Sequence, residues 1–178
     1  KGDFDQMTSY TNTPLEQATT YFQNGFKNIH IVDLDGALNK KPSNSNIVKE
    51  ILKNLKLKIQ IGGGIRTIDD IDNWVKCGAD KVIMGTAAVE NKNLLKIACE
   101  KFKNKIAISL DVKDGFIFLS GWKKKTNILA YDFIKEIENF GVSRIIYTDI
   151  NKDGTKKGPN LKDTIELSNK VKIPFIIS

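Results

Sequence analysis

Two glycine-rich turns in the sequence have the composition of anion-binding loops. Gly62-Gly63-Gly64-Ile65-Arg66-Thr67 joins a predicted strand to a predicted helix, and Val82-Ile83-Met84-Gly85-Thr86-Ala87 ends the next predicted strand in the same manner. The first turn of a helix presents unpaired N–H groups, and glycine lets an anion approach the backbone closely. Each turn alone is explained equally well by steric need. Together, on neighbouring strands, they predict one phosphate site.

Polar residues end three further predicted strands. Asp33, Asp111 and the pair Thr148-Asp149 stand where a strand gives way to its loop. A (β/α)₈ barrel assembles its site on this face from several strands, whereas an open doubly wound sheet uses mainly its switch point. With the two glycine turns, five predicted strands carry such residues, which favours the barrel over the doubly wound alternative.

The elements that must position these residues alternate between helical periodicity and short β-branched runs, the pattern of βα units around a parallel sheet. A capping box, Thr13-Pro14-Leu15-Glu16, opens the first helix, which ends at Gly25, and Asp114-Gly115 predicts a hairpin turn. Further helices are predicted from about Ser45 to Asn54, Thr67 to Gly78, Asn91 to Phe102, Ala130 to Phe140 and Leu161 to Val171. The predicted strands are 29–33, which we expect to be buried, 58–61, 81–84, 106–111, 116–119, 144–149 and 174–177. No stretch has the composition of a linker, so a single domain is predicted.

An internal repeat is also visible. Asp149 follows Asp33 by 149 − 33 = 116 residues, and the same offset relates the pairs Lys40-Lys41 and Lys156-Lys157, Asn44 and Asn160, Glu50 and Glu166, and Ile61 and Ile177. No gap separates the two copies. Because the matches fall on equivalent strands and loops, we expect a duplicated architecture.

Composition excludes several classes of protein. No apolar window of 18 residues indicates a membrane span, and no secretion signal is visible at the start of the chain. Cys77 and Cys99 stand alone, which predicts neither a structural zinc site nor a disulfide framework, and a reducing, cytoplasmic location is expected. The net charge of +7 comes mainly from scattered lysines. Scattered lysines with only two arginines argue against a dedicated nucleic-acid binder, and a phosphorylated substrate would use the same charge equally well.

Five segments carry a resemblance to a known family. They are Ile31-Val32-Asp33-Leu34-Asp35-Gly36-Ala37, Gly62-Gly63-Gly64-Ile65-Arg66, Ser109-Leu110-Asp111-Val112, Ser120-Gly121-Trp122 and Tyr147-Thr148-Asp149-Ile150-Asn151-Lys152-Asp153-Gly154-Thr155. The chain resembles, over its whole length, the phosphoribosylformimino-aminoimidazole carboxamide ribotide isomerases of histidine biosynthesis. This resemblance implies a (β/α)₈ TIM barrel with an internal twofold repeat. It also implies an Amadori rearrangement of an aminoaldose to an aminoketose, with no metal and no organic cofactor.

The resemblance also implies the roles of individual residues. Asp111 matches the general acid of the family and Thr148 the hydroxyl that assists it, while Trp122 is expected to stack on the substrate or to shield the site. Asp33 is expected to organise its loop and to contact the substrate. The residues expected to bind substrate or phosphate are Asp33, Gly63, Gly64, Arg66, Gly85, Thr86 and Trp122. The expected partner is a small bisphosphorylated molecule, with no nucleic acid or membrane, and the complete barrel is expected to be a monomer.

The chain departs from the family pattern at both ends. A barrel of this class needs about 250 residues, and only strands two to seven of the eight are predicted here. The first strand, which carries the general base of the family, and the last βα units are therefore expected to be missing. The second phosphate site falls in the missing C-terminal part.

Three alternatives stay open at this point. The related cyclase subunit of imidazole glycerol phosphate synthase shares the glycine turns and the Asp-Gly-Thr stretch, although it usually lacks the Val-Asp-Leu-Asp-Gly-Ala and Ser-Gly-Trp forms. A dual isomerase that also serves tryptophan synthesis has the same fold. A basic nucleic-acid binder would need no substrate.

Overall fold

The computed structural model describes residues 10–178, which form two compact units, one within residues 10–82 and the other over residues 83–178. Helices and strands alternate along both units, and parallel strand pairs dominate, so the α/β class is confirmed. The helices in the described residues are α1 (Pro14–Gln23), α2 (Leu34–Asn39), α3 (Ser45–Asn54), α4 (Ile68–Lys76), α5 (Thr86–Glu90), α6 (Lys92–Lys101), α7 (Ala130–Ile137) and α8 (Leu161–Ser168). The strands are β1 (Asn28–Val32), β2 (Lys58–Gly62), β3 (Lys81–Met84), β4 (Ile106–Lys113), β5 (Phe116–Leu119), β6 (Lys124–Leu129), β7 (Arg144–Asp149) and β8 (Phe175–Ile177).

The unit within residues 10–82 is built on the parallel pair β1 and β2. Its core contains Ala18 of α1, Ile51 of α3 and Ile59 of β2, against which Ile29 and Ile31 of β1 pack. Alternate side chains of a strand point to opposite faces. Val32, on the other face of β1, is therefore 51% exposed, and the prediction that this strand is buried was wrong for that face.

The unit of residues 83–178 has a mixed sheet. β4 pairs in parallel with β7, which pairs in parallel with β8, whereas β5 is antiparallel to both β4 and β6. The predicted hairpin turn between β4 and β5 is confirmed, with left-handed backbone at Asp114 (φ 53°) and Gly115 (φ 82°). Ile83, Ala107 and Ile146 form part of the core that fixes these strands against one another.

Most predicted elements are present within a few residues of their expected bounds, and α3, β3, β5 and β7 have the predicted bounds. The capping box of Thr13 and Glu16 is formed. Two short helices, α2 and α5, were not predicted, because five or six residues give too little periodicity to separate a helical turn from a loop. The return strand β6 was also missed. Its lysines and Asn127 hide the alternation of a strand.

The two units share several local geometries at the spacing of the repeat. In the first, Ile29 pairs with Ile59. In the second, Ile145 pairs with Phe175, and each of these residues lies 116 positions later. Lys40 and Lys156 are both left-handed, with φ of 59° and 58°.

The loops that follow β1 and β7 are also tied in the same way. The side-chain amide of Asn44 donates to Asp33 at 2.7 Å, and that of Asn160 donates to Asp149 at 2.7 Å. Asp33 directly follows β1 and Asp149 is the last residue of β7, whereas Asn44 and Asn160 directly precede α3 and α8. The local backbone and side-chain geometry of these loops therefore recurs at the offset seen in the sequence.

Candidate active site

Asp111 lies toward the C-terminal end of β4, directly beside Thr148 of β7 in the parallel register. Residues paired in this way project their side chains to the same face of a sheet. The side chains of Trp122 and Thr148 are the hydrogen-bond partners of the Asp111 carboxyl. Thr148 is only 7% exposed, and Asp111 and Trp122 are half-buried.

Burial raises the pKa of Asp111 to about 6. The side chains of Trp122 and Thr148 oppose this rise because hydrogen bonds to a carboxylate favour its charged form, whereas the negative charge of Asp153 adds to it. A carboxyl group with a pKa near 6 exchanges protons close to neutral pH, which is what a general acid or base requires.

A left-handed turn brings Trp122 to this carboxyl. Ser120, Gly121 and Trp122 have φ values of 56°, 64° and 70°, and they follow β5, whose Phe118 pairs with Asp111. Consecutive left-handed residues are rare outside glycine, because Cβ crowds the backbone in this region. The Ser-Gly-Trp segment therefore has an unusual backbone at the point where it reaches the candidate acid.

Gly85 joins β3 to α5 and Thr86 is the first residue of α5, next to the same turn. The backbone N–H of Ser120 donates to the hydroxyl oxygen of Thr86 at 3.0 Å. A Cβ atom added at Gly85 would meet only the carbonyl oxygen of Ser109, at 3.8 Å, which is ordinary contact. Space is thus available beside Gly85, and the packing of the protein does not itself require glycine there.

Asp33 is 4% exposed in the other unit and organises the loop after β1. Its Oδ1 accepts hydrogen bonds from the backbone of Gly36 and the side chain of Asn44, and its Oδ2 accepts from the backbones of Ser43 and Asn44. Burial raises its pKa, but these bonds outweigh burial and hold the pKa below its ordinary value. The geometry supports the expected loop role, and direct contact with a substrate stays a prediction.

Gly63 and Gly64 pack against this same loop. Both are left-handed, with φ of 107° and 72°, and a Cβ at Gly63 would overlap the backbone of Asp33. A Cβ at Gly64 would lie 2.6 Å from the carbonyl carbon of Lys41. Close approach of backbone to backbone therefore already requires glycine at both positions. The half-buried Arg66 follows, and its backbone N–H donates to Asp70 at 3.0 Å.

The structure thus brings Asp111, Thr148, Trp122 and, through Ser120, Thr86 together in one unit, and Asp33, Gly63 and Gly64 together in the other. Two contributors were not predicted. Asp153, in the quoted Asp-Gly-Thr stretch, acts on Asp111 through its charge, and the backbone of Ser120 joins the turn to Thr86. Both residues lie within segments that carried the family resemblance. Their contacts were not predictable, because a backbone hydrogen bond does not depend on residue type.

Comparison with known proteins identifies the family. The model of a family described as histidine biosynthesis protein matches residues 1–178. The chain belongs to this family.

Similar curated proteins carry one name, 1-(5-phosphoribosyl)-5-((5-phosphoribosylamino)methylideneamino)imidazole-4-carboxamide isomerase. The protein of Pelagibacter ubique is 53% identical over 178 residues, covering 100% of this chain and 74% of its own length. That of Oceanobacillus iheyensis is 43% identical over 163 residues, covering 92% and 68%. That of Ruminiclostridium cellulolyticum is 39% identical over 178 residues, covering 100% and 75%. The resemblance to the isomerase is confirmed, and these names favour it over the cyclase subunit and the nucleic-acid binder.

Within residues 10–178, no helix is both long enough and apolar enough to cross a membrane.

Proposed function

We propose that the protein catalyses the Amadori rearrangement for which its relatives are named, with Asp111 as the general acid. The observation that carries the proposal is the cluster in which Trp122 and Thr148 contact a carboxyl group whose pKa is raised to about 6. Perturbed carboxyl groups at the C-terminal ends of parallel strands are typical of catalytic sites.

The first step is protonation of the furanose ring oxygen. Asp111 gives its proton to that oxygen while the C1–O bond breaks and the nitrogen lone pair forms a double bond to C1, which leaves an open-chain protonated imine and a carboxylate. At pH 7, a pKa near 6 keeps a fraction of about a tenth of the molecules protonated, on the order of 10² times more than a pKa of 3.8. The raised pKa therefore supplies the acid form at neutral pH.

The second step is removal of the C2 proton by a base, which converts the protonated imine to an enaminol. Addition of a proton at C1 and loss of the proton of the 2-hydroxyl then give the aminoketose. This base must approach from another side of the sugar, so it is a group other than Asp111. Thr148 fixes the orientation of the Asp111 carboxyl through its hydroxyl. Trp122, at the edge of the cluster, has an indole face suited to stacking on the imidazole carboxamide.

Phosphate binding is proposed for each glycine turn on its own geometry. At Gly85 and Thr86 the support is the sequence pattern and the space beside Gly85. At Gly63, Gly64 and Arg66 the support is the sequence pattern and the guanidinium. The net charge of +7 raises the local concentration of a bisphosphorylated substrate around the whole protein.

For the fold we propose one (β/α)₈ TIM barrel domain with a twofold repeat, to which both units belong. The support is the recurrence at 116 residues of the strand register, of the left-handed lysine and of the Asp–Asn bond. We further propose a monomer that works in a reducing, cytoplasmic location, in agreement with the free thiols of Cys77 and Cys99.

The test is conversion of the bisphosphorylated aminoaldose to the aminoketose by the purified protein, followed by NMR of the sugar carbons. Asp111→Asn should lower turnover by at least ~10² while substrate binding persists, the usual scale of general acid catalysis. Asp132→Asn, at an exposed position in the first turn of α7, is the matched control. An Asp111→Asn protein within a few-fold of the unmodified one would remove Asp111 from the mechanism. Turnover of the aminoketose with ammonia instead would indicate the cyclase.

A further inference from the structure

The hydroxyl of Thr86 has a defined partner outside its own helix. It stands at the first position of α5 and accepts the backbone N–H of Ser120, 34 residues later, at 3.0 Å. A threonine hydroxyl that accepts one bond keeps its own hydrogen for a second partner. Thr86 can therefore hold the turn whether or not a phosphate is bound beside it.

The turn that Thr86 holds is one that needs external support. Ser120 and Trp122 are not glycine, yet both adopt φ values in the left-handed region, on either side of Gly121. Such conformations persist where surrounding contacts determine them. The pairing of Leu119 with Lys124 closes the turn from the two strands, and the bond from the exposed Ser120 to Thr86 adds a contact from outside the hairpin.

A second contact ties the far end of α5 to the same hairpin. Lys124, the first residue of β6, forms an ion pair with Glu90 at 3.4 Å. Exposed ion pairs of this kind contribute little, and both partners here are largely exposed. The Glu90–Lys124 pair therefore serves as an internal comparison for the Thr86–Ser120 bond.

We propose that Thr86 is a positioning residue, whose hydroxyl fixes the turn of Ser120, Gly121 and Trp122 and thereby holds the indole of Trp122 against the Asp111 carboxyl. The consequence for catalysis rests on the proposed function of Asp111. The placement of the indole by Thr86 does not depend on it.

The surroundings of Asp111 decide what loss of the indole would do. Thr148 contacts the carboxyl from β7, Phe118 is its partner on β5, and Asp153 is the charged group that acts on it. The indole of Trp122 donates a hydrogen bond that favours the carboxylate, and it also shields the carboxyl group from water, which favours the acid form. Release of the turn should therefore change the pH at which Asp111 titrates.

The experiment follows the fluorescence of Trp122 against pH. The chain has two tryptophans, so Trp74→Phe leaves Trp122 as the only indole. If Trp74→Phe does not fold, the signal of Trp122 is obtained by subtracting the emission of Trp122→Phe from that of the unmodified protein. We expect a transition near pH 6 that Asp111→Asn abolishes. In Thr86→Val the midpoint should shift by up to about one pH unit, the scale of one hydrogen bond to a charged group, and the emission maximum should change with it.

Thr86→Ser should restore the original midpoint and emission maximum, because it keeps the hydroxyl, and Glu90→Gln should leave both unchanged. An unaltered midpoint and emission in Thr86→Val would overturn the proposal. So would a Thr86→Val effect that Glu90→Gln reproduces in full, since a general loosening of the hairpin would then explain both.

Hydrogen exchange at the Ser120 amide tests the bond in the unmodified protein, even if Thr86→Val does not fold. Protection supports the proposal, and exchange at the rate of an unstructured peptide contradicts it. None of these measurements requires turnover, so a failure of the proposed function can be distinguished from a failure of the role proposed for Thr86. Where turnover is measured, Thr86→Val should raise KM and leave the fluorescence midpoint unchanged if Thr86 only binds phosphate, and this result would also overturn the proposal.

Discussion

Replacement of Asp111 by Asn is expected to stabilise the folded protein at neutral and alkaline pH. Burial raises the pKa of Asp111 from 3.8 to about 6. The folded state therefore binds more protons than the unfolded state between these two values, and the stability contributed by this group falls as pH rises through that window. Above about pH 7 the cost is complete, because the carboxylate is then charged in both states.

The magnitude follows from the size of the shift. A difference of about 2 pH units corresponds to about 3 kcal/mol, which is an upper bound because asparagine also changes the bonds to Trp122 and Thr148. Urea unfolding of both proteins, followed by far-ultraviolet circular dichroism at pH 4, 6 and 8, measures the effect. The advantage of Asp111→Asn should be greatest at pH 8 and close to zero near pH 4.

The control is again Asp132→Asn, which should not stabilise the protein at pH 8. Its acidic side chain lies in the first turn of α7, where a negative charge favours the helix by a few tenths of a kcal/mol. Two results would refute the reasoning about burial. One is an Asp111→Asn protein that is less stable than the unmodified protein at pH 8, and the other is a difference in unfolding free energy that is the same at all three pH values.

Two further predictions concern the loops. Gly85→Ala should raise KM at least ~10-fold with little change in unfolding free energy, because a Cβ there meets only ordinary contact; an unchanged KM would make the turn structural. Gly64→Ala should instead cost more than ~2 kcal/mol of stability, since its Cβ would overlap the Lys41 backbone at a φ of 72°; a loss below ~0.5 kcal/mol in urea unfolding would contradict this. Asp33→Ala should cost about 3 kcal/mol at pH 7 through four lost hydrogen bonds, with Asp35→Ala as the comparison. Because the pKa of Asp33 is lowered in the folded protein, the stability that its charge contributes should disappear as pH falls below about 4. If the loss of unfolding free energy in Asp33→Ala is the same at all pH values, the charge of Asp33 does not contribute.

Sequence patterns predicted the long elements because their periodicity and caps are local. Thr13-Pro14-Leu15-Glu16 begins a helix by the same side-chain bonds that the capping rule describes. The short helices α2 and α5 were not predicted because they are stabilised by contacts with neighbouring segments rather than by their own sequence pattern. In α2, the carboxyl of Asp33 caps the N–H of Gly36, and that carboxyl is in turn fixed by Ser43 and Asn44, ten and eleven residues further along.

The candidate site was predicted in its residue types but not in its connections. Asp111, Thr148 and Trp122 came from motifs, and the structure brings their side chains together. The contribution of Asp153 and the bond from Ser120 to Thr86 depend on how separate loops meet, which no local pattern encodes. The glycines differ in the same way, because Gly63 and Gly64 are required by a neighbouring backbone whereas Gly85 is not.

The most direct test of the central claim is the pH dependence of kcat/KM for conversion of the aminoaldose to the aminoketose between pH 5 and 8.5. The kcat/KM profile reports the free enzyme. If Asp111 is the acid, kcat/KM should decline above a midpoint near pH 6, and this decline should be absent from the residual activity of Asp111→Asn. A profile that keeps the same descending limb in Asp111→Asn would assign the acid to another group and contradict the account.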